Sequence, residues 1–394
     1  MKHCKDCEPA QQSHFFAYYS VVLGILNEPF LNFMESIFGH VAERISQTLG
    51  TNFIKLMVFL RLGHYTNEIS PKNSLRARCV WEEANKRGIK MREFHMGPVS
   101  DVFIAEFKGK TISFDSMPMP DTISPSLKWM DDKWIMKKKF KKENIPVANG
   151  GVAWNKKSAL KIFNKLSKPV IAKPNLGSRS RHTTIHINTV EELMVGYTKA
   201  KMLSPFVVIE EELKGVLFRG TVIGGKLVGV VKREWPQVEG DGIHTLKELL
   251  EKENERPERN GPVFHKIALD KEAFEELKRQ NIKMEDIPEA GRIVTFSQKT
   301  SRGVGGQTTE VTETTNEHNK KMLEHVASFL KNEVVGVDFI MEDITKPWFD
   351  QPRSGVIECN SLPFIDLHQY VLFGTPNNVA AKLWDLVLPE SKPI

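Results

Sequence analysis

Four successive patterns of apolar and polar positions divide the chain. Residues 1–70 are apolar and helix-like and end at Ser70-Pro71. They hold two apolar stretches, 15–26 and 52–62. The first is followed by Glu28 and Pro29, and the second carries Lys55 and Arg61. Both fall short of the roughly 18 or more residues that a membrane-crossing helix needs. No compact small-residue cleavage site is clear, which argues against a signal peptide. The pattern predicts two amphipathic helices packing on each other or on the body, with peripheral membrane contact as the alternative.

From Asn73 the pattern changes. SLRARCVWEEANKRG predicts a helix stopped by Gly88, IKMREF a short strand, and DVFIAEFKGKTISFD a β-hairpin turning at Gly109. Pro118, Pro120 and Pro125 punctuate the exit. From 128 to 209 the order is helix (132–143), helix (KKSALKIFNKLS), strand (PVIAKP), loop, strand, helix (190–202) and strand (FVVIEE), which is an α+β lobe. From 210 to 394, FRGTVIGGKLVGVVKREW predicts a hairpin turning at Gly224-Gly225. Thr245 and Glu248 form a capping box for LKELLEKEN. GRIVTFSQ, VVGVDFIMED and SGVIECNS read as strands, and NEHNKKMLEHVASFLKN and NNVAAKLWDLV as helices. The expected organisation is a helical extension (1–70), a small α/β domain (71–127) and two α+β lobes (128–209 and 210–394).

Composition narrows the class. With 394 residues, 40% apolar and 26% charged, the chain is long enough for two or three domains and too apolar to be disordered. Four cysteines are too few for a disulfide scaffold, so a reducing, cytoplasmic setting is expected. Cys4 and Cys7 make one CxxC with His3 beside them. A structural zinc site needs four ligands, and Cys79 and Cys359 are isolated in sequence. A reduced, frayed N-terminus is the expectation there, with metal binding as the alternative. The net charge of +6 is unevenly placed: residues 128–181 hold 15 Lys plus Arg against 3 Asp plus Glu, a balance of +12, so the rest sums to −6. The run KKKFKK (137–142) reads as a solvated helix face without an aromatic-interleaved platform, which argues against nucleic-acid binding.

Candidate chemistry is densest near the C-terminus. Asp338 lies in an apolar strand, and Glu358 and Asn360 lie two apart in the next, so both project from one side of a sheet. Three hard oxygen donors brought together suit Mg²⁺, with phosphate oxygens completing the shell. There is no GxxxxGK[ST] and no GxGxxG after a strand, which argues against two common nucleotide-binding classes. Instead Lys133 opens a helix and Lys173 ends a strand. The polar loop NLGSRSRHTT follows it and is suited to covering phosphates. Cys359, on the opposite strand face from Glu358, is expected in the core.

In order, the segments MDDKW (130–134), ENIPVANG (143–150), IAKPNLGSRSR (171–181), VVIEEELKGVLFRGTVIGGKLVGVVKRE (207–234), VEGDGIHTLKELLEKEN (238–254), TFSQKTSRGVGGQTTEVT (295–312), GVDFIMEDI (336–344) and VIECNSLPFIDLH (356–368) resemble an ATP-grasp carboxylate–amine ligase. The resemblance is closest to the ATP-grasp modules of cyanophycin synthetase and glutathione-synthetase-like enzymes. It covers roughly 128–390, and 73–120 resemble the small domain that often precedes such modules. It implies an α+β ATP-grasp fold, two lobes enclosing ATP, with the metal site in the second. Lys133, Lys173, Gly177, Ser178, Arg179 and Arg181 would face ATP phosphates. Glu210, Glu211 and Leu213 would form the adenine hinge. Asp338, Glu358 and Asn360 would hold two Mg²⁺ ions, or Mn²⁺ in their place. Arg219, Arg233 and Arg302 would serve the reaction, and Ser301–Gly306 would close over the acceptor. Ser361, Asp366 and His368 would lie near the substrate end. Ser180 and His182 stand at glycine positions of the pattern. Leu217 stands where an acidic ribose-binding residue is usual, with Glu211 or Glu212 as candidates to replace it.

The implied activity is ATP-dependent joining of a carboxylate (amino acid or peptide) to an amine through an acyl phosphate, releasing ADP and phosphate. Implied partners are those substrates, with no nucleic acid and no stable membrane span; a homodimer is left open. The alternative is a non-catalytic nucleotide- or partner-binding protein. No segment resembles a Mur-type ligase module or a glutamate–cysteine ligase module.

Overall fold

The computed structural model describes residues 4, 13–23, 52, 54–97, 99–120, 128–130, 132–176 and 181–393. The small domain is an antiparallel sheet in the order β1 (His64–Thr66), β2 (Lys90–Met96), β3 (Val99–Phe107) and β4 (Lys110–Asp115). Its helix, Leu75–Lys86, starts at Ser74, whose hydroxyl accepts from the Ala77 N–H at 3.3 Å. Trp81, Ala84 and Phe103 share one core with Trp384 and Val379 of the C-terminal helix Val379–Val387. The Trp384 indole N–H donates to the Val80 carbonyl at 3.0 Å, so this domain is fastened to the far end of the chain.

β1 falls inside the block expected to be helical. Three residues are too few to show a period, and the strand is held by His64 stacking on His95 and by Tyr65 tilted against Phe94. Ile54 buries against Phe94 and Ile104, so part of the 52–62 stretch packs on this sheet as expected. The helical stretch 14–23 instead leaves Phe15 and Phe16 largely exposed. Residues 24–26 lie outside the described residues. Among the described residues, no helix is long and apolar enough to cross a membrane.

The first lobe is a four-stranded antiparallel sheet of β5 (Gly150–Ala153), β6 (Val170–Pro174), β7 (Thr184–Ile187) and β8 (Val207–Glu211), in the order β5-β8-β6-β7. Helices Lys156–Phe163 and Val190–Lys201 pack on it through Ala159, Phe163, Leu193 and Tyr197. Both carry capping boxes, Asn155 with Ser158 and Thr189 with Glu192. A lobe boundary at 209/210 would cut β8, so Glu210 and Glu211 belong to this sheet.

In the second lobe β9 (Val216–Ile223) and β10 (Lys226–Glu234) turn at Gly224-Gly225, both with positive φ. β11 (Gln237–Glu239) and β12 (Ile293–Thr295) pair with each other. Between them lie the capped helix Leu246–Asn254 and a helix outside the expectations, Lys271–Arg279. β13 (Gln307–Glu310), β14 (Val334–Met341) and β15 (Gly355–Asn360) complete a five-stranded sheet in the order β13-β10-β9-β14-β15. Phe218, Val337 and Phe339 point to the face covered by helix Glu317–Leu330, through Met322, Leu323 and Val326. Met136 and Phe140 of helix Lys133–Lys142 enter this same core. That helix, assigned by sequence to the first lobe, therefore spans both.

Candidate active site

The opposite face of the five-stranded sheet carries the chemistry, and strand register places it there. Asp338 on β14 lies directly between Arg219 on β9 and Glu358 on β15. Asn360 is opposite Gly336, two residues along, and Arg233 on β10 is opposite Leu217. Side chains two apart on a strand share a face, so Arg219, Arg233, Asp338, Glu358 and Asn360 all project from one side. The expected oxygen trio is thus brought together. Cys359 points the other way and is buried in the core as expected.

Arg219 clasps Asp338 with two hydrogen bonds: Nε donates to Oδ1, and Nη2 to Oδ2 at 2.7 Å. Arg233 Nη1 stands 4.0 Å from Asp338 Oδ2. Burial disfavours charge on both arginines; beside Asp338 it is more than offset for Arg219, whose pKa is raised, whereas that of Arg233 is lowered. Burial, and then the neighbouring Asp338, push the Glu358 carboxyl upward. Lys133, Arg219 and Lys173 pull it down, so cations of the first lobe and the bridging helix act on the second lobe's carboxylates.

Four buried polar atoms around this face have no hydrogen-bond partner within the protein: Arg219 Nη1, Arg233 Nε, Asn360 Nδ2 and Asp366 Oδ1. Buried polar atoms are nearly always paired. Such a cluster of donors and acceptors fits a polar ligand with phosphate oxygens and a hard cation.

The first lobe faces this site with a buried ion cluster. Glu210 Oε1 accepts from Lys173 Nζ at 2.8 Å, and Oε2 stands 2.8 Å from Lys137 Nζ. Burial would raise the Glu210 pKa, but the two ammonium groups overcome it and hold the carboxyl down at about 2. Burial lowers the Lys137 pKa against the pull of Glu210. Lys137 was expected on a solvated face; it is 2% exposed and belongs to the site. Glu210, expected to turn toward adenine, has its carboxylate committed to these two lysines.

Lys133 is positioned by the helix N-terminus. Asp132 Oδ1 accepts the Ile135 N–H at 2.7 Å, and its Oδ2 accepts from Asn175 Nδ2 at 2.6 Å. Asn175 Oδ1 accepts the Trp134 N–H at 3.1 Å. The chain leaving β6 is thereby pinned beside Lys133. Arg181 is described and partly buried. Gly177, Ser178, Arg179 and Ser180 lie outside the described residues.

Glu211 and Glu212 are engaged within the first lobe. Glu211 accepts from Asn149 Nδ2 at 3.1 Å and the Ser167 N–H at 3.0 Å. Glu212 accepts the His186 N–H at 2.7 Å and pairs with His186 Nδ1 at 2.8 Å. Both carboxylates expected to replace the acidic group absent at Leu217 thus already hold partners inside the first lobe. Leu213 is partly buried in the connection to β9.

Arg302 donates to Asp366 Oδ2 and lies within 3.4 Å of the Asp366 and Tyr370 carbonyls. The Ser301–Gly306 segment is therefore docked on 366–370. Gly305 is left-handed (φ +93), and Arg259 donates to its carbonyl at 3.0 Å. His368 is fully buried, with Nε2 2.8 Å from Thr221 Oγ1 and Nδ1 3.3 Å from Glu310 Oε2. Ser361 is exposed.

No protein-family model matches the chain. It is 31% identical over 268 residues to a cyanophycin synthetase of Geminocystis herdmanii, covering 66% of this chain and 30% of that protein. It is 26% identical over 321 residues to the glutathione biosynthesis bifunctional protein of Listeria monocytogenes, covering 79% of this chain and 41% of that one. The chain thus spans less than half the length of these curated relatives. A bifunctional glutathione synthetase from Pasteurella multocida superposes with a TM-score of 0.61 at 21% identity, over 81% of this chain and 44% of that chain. The chain has the ATP-grasp fold, and its sequence relatives include cyanophycin synthetases and bifunctional glutathione enzymes.

Proposed function

We propose that the chain is an ATP-dependent ligase that joins a carboxylate, of an amino acid or peptide, to an amine through an acyl phosphate. The observation that carries this reading is the shared sheet face. Two arginines and three oxygen donors converge there, four buried atoms lack partners, and Lys133 and Lys173 act across it.

A carboxylate is a poor acyl donor because oxide would have to leave. Moving the γ-phosphoryl of ATP to its oxygen gives an acyl phosphate, from which an amine displaces phosphate. Such a transfer is catalysed chiefly by positioning and charge neutralisation. Asp338, Glu358 and Asn360 would hold Mg²⁺, as two ions, which neutralises phosphate charge when bound. Lys133 and Lys173 would neutralise the remaining phosphate oxygens, Lys173 being fixed by Glu210. Arg219 orients Asp338. Arg233, with its unpartnered Nε–H, can donate to the oxyanion formed on amine attack; loss of such a donor typically lowers the rate by about 10²–10³. Arg302, held by Asp366, positions the 301–306 segment at the acceptor end. The buried reduced thiols Cys79 and Cys359 suit a cytoplasmic setting.

The test is release of ADP and phosphate when amino acids or peptides are supplied in pairs with ATP and Mg²⁺. Turnover should depend on both a carboxylate and an amine and should vanish in Glu358→Ala. ATP turnover that survives that substitution sinks the proposal. One observation favours a non-catalytic binding protein instead: both Asp338 oxygens are already held by Arg219. Nucleotide binding without turnover across a broad acceptor panel is its mark.

A further inference from the structure

The N-terminal segment meets the loop that connects β6 to β7. Cys4 Sγ lies 3.7 Å from His182 Nε2. The His14 ring stands edge-on to the His182 ring, with centroids 4.8 Å apart. One ligand atom from each of Cys4, His14 and His182 falls within 4.8 Å of the other two. Tetrahedral zinc, with Zn–S near 2.3 Å and Zn–N near 2.0–2.1 Å, places sulfur and nitrogen ligands about 3.6 Å apart.

The hydrogen bonding of His182 supplies a second, independent observation. Its Nδ1 lies 2.9 Å from the Lys199 carbonyl oxygen. A carbonyl only accepts, so Nδ1 carries the proton. In the neutral ring Nε2 then holds the lone pair, and Nε2 is the atom facing Cys4. Metal-binding histidines characteristically donate their other N–H to a carbonyl or carboxylate in this way, which fixes the tautomer and the ring direction. His182 is buried, at 1% exposure, so the ring is held rigidly.

We propose that Cys4, His14 and His182 form a structural binding site for a borderline-soft divalent cation, Zn²⁺ by chemistry, which fastens the N-terminal segment to the loop between β6 and β7. Thiolate plus imidazole selects zinc over the hard Mg²⁺ expected at the oxygen trio. Because ligands 178 residues apart are joined, binding closes a long stretch of chain, and its free energy goes into ordering both segments. Cys7 lies outside the described residues and is not assigned as a ligand; it is one arm of the test.

The full chain is purified without chelator and its metal content measured. One zinc per chain is expected, falling to background in Cys4→Ser and in His14→Ala. Affinity should drop by more than the roughly 10–100-fold that loss of a ligand's hydrogen-bond partner costs. Replacing zinc with Co²⁺ reads the ligands directly. Thiolate-to-cobalt charge transfer with tetrahedral ligand-field bands should appear in the native chain and in Cys79→Ala, and should be absent in Cys4→Ser. In Cys7→Ser, a weakened charge-transfer band adds Cys7 as a fourth ligand and an unchanged one excludes it; both keep the site. Because a misfolded variant would also lose metal, circular dichroism and ATP-site occupancy by Mg²⁺-nucleotide accompany each measurement. The proposal is overturned if the native chain binds neither zinc nor Co²⁺ with a thiolate band. It is also overturned if folded Cys4→Ser keeps both, which would reduce the contact to a thiol–imidazole hydrogen bond.

Discussion

Glu210 is the anion shared by two buried ammonium groups, and that fixes how the cluster responds to mutation and acid. In Glu210→Gln, Lys137 and Lys173 face each other with no counter-charge. Removing one partner from a buried ion pair typically destabilises by about 3–5 kcal/mol, so the urea midpoint should fall by a corresponding amount. Replacing only Lys137 by Met leaves the Lys173–Glu210 pair and should cost less. The acid response follows from the depressed carboxyl. Its folded pKa of about 2 lies below the ordinary 4.5, so its stabilisation is complete above 4.5 and is lost as pH falls toward 2. Native chain and Glu210→Gln should therefore differ most near neutral pH and converge below pH 4.5, read by urea unfolding at each pH. The role of Lys137 was hidden in KKKFKK because a run of identical charges does not show which one turns inward. Its partner is 73 positions away, and only the fold supplies it. Asp338, Glu358 and Asn360 were legible because strand alternation alone places Glu358 and Asn360 together, and the apolar run around Asp338 marks a central strand.

Most elements with strong internal pattern matched their expectation, and short ones held only by neighbours did not. The 317–330 helix and the β9–β10 hairpin carry their own periodicity and turn glycines. β1 and β13 are three and four residues long and are defined by the strands beside them. The helix at Lys271–Arg279 is the exception: its amphipathic pattern and Asp270 cap are both present in the sequence. The connection into β9 gives a sharp test. Gly215 has φ +108, and a Cβ there would sit 2.1 Å from the Met341 carbonyl oxygen. A backbone atom cannot swing aside as a side chain can. Gly215→Ala should therefore lose more than the roughly 1–3 kcal/mol of ordinary backbone strain, seen as a lowered melting temperature. Gly225→Ala, also at positive φ but with nothing nearby, should lose only the smaller conformational term, about 1–2 kcal/mol for a left-handed residue.

Across the whole molecule, the positive balance of 128–181 and the acidic remainder become one electrostatic arrangement. Lys133 and Lys173 of the basic segment act on Glu358 of the second lobe, and Lys137 joins Lys173 on Glu210. The bridging helix puts its apolar face in one lobe's core and Lys137 against the other's Glu210, so the two charge sets are held close without a ligand. This carries a penalty at Glu358, which is partly buried beside Asp338 and has its pKa raised. For an acid raised in the folded state, the destabilisation is present above the folded pKa and disappears below the unfolded one. Glu358→Gln keeps the shape and removes the charge. Without Mg²⁺ at neutral pH it should be as stable as the native chain or more so, with that gain vanishing below about pH 4.5. With Mg²⁺ and ATP the order should reverse, because the native chain gains stability from ligand binding as RT ln(1 + [L]/Kd) and the variant does not. Thermal unfolding with and without Mg²⁺-ATP measures both. If the native chain is the more stable without ligand, or if both gain equally with it, then Glu358 is a structural residue of the sheet and not a metal-binding one.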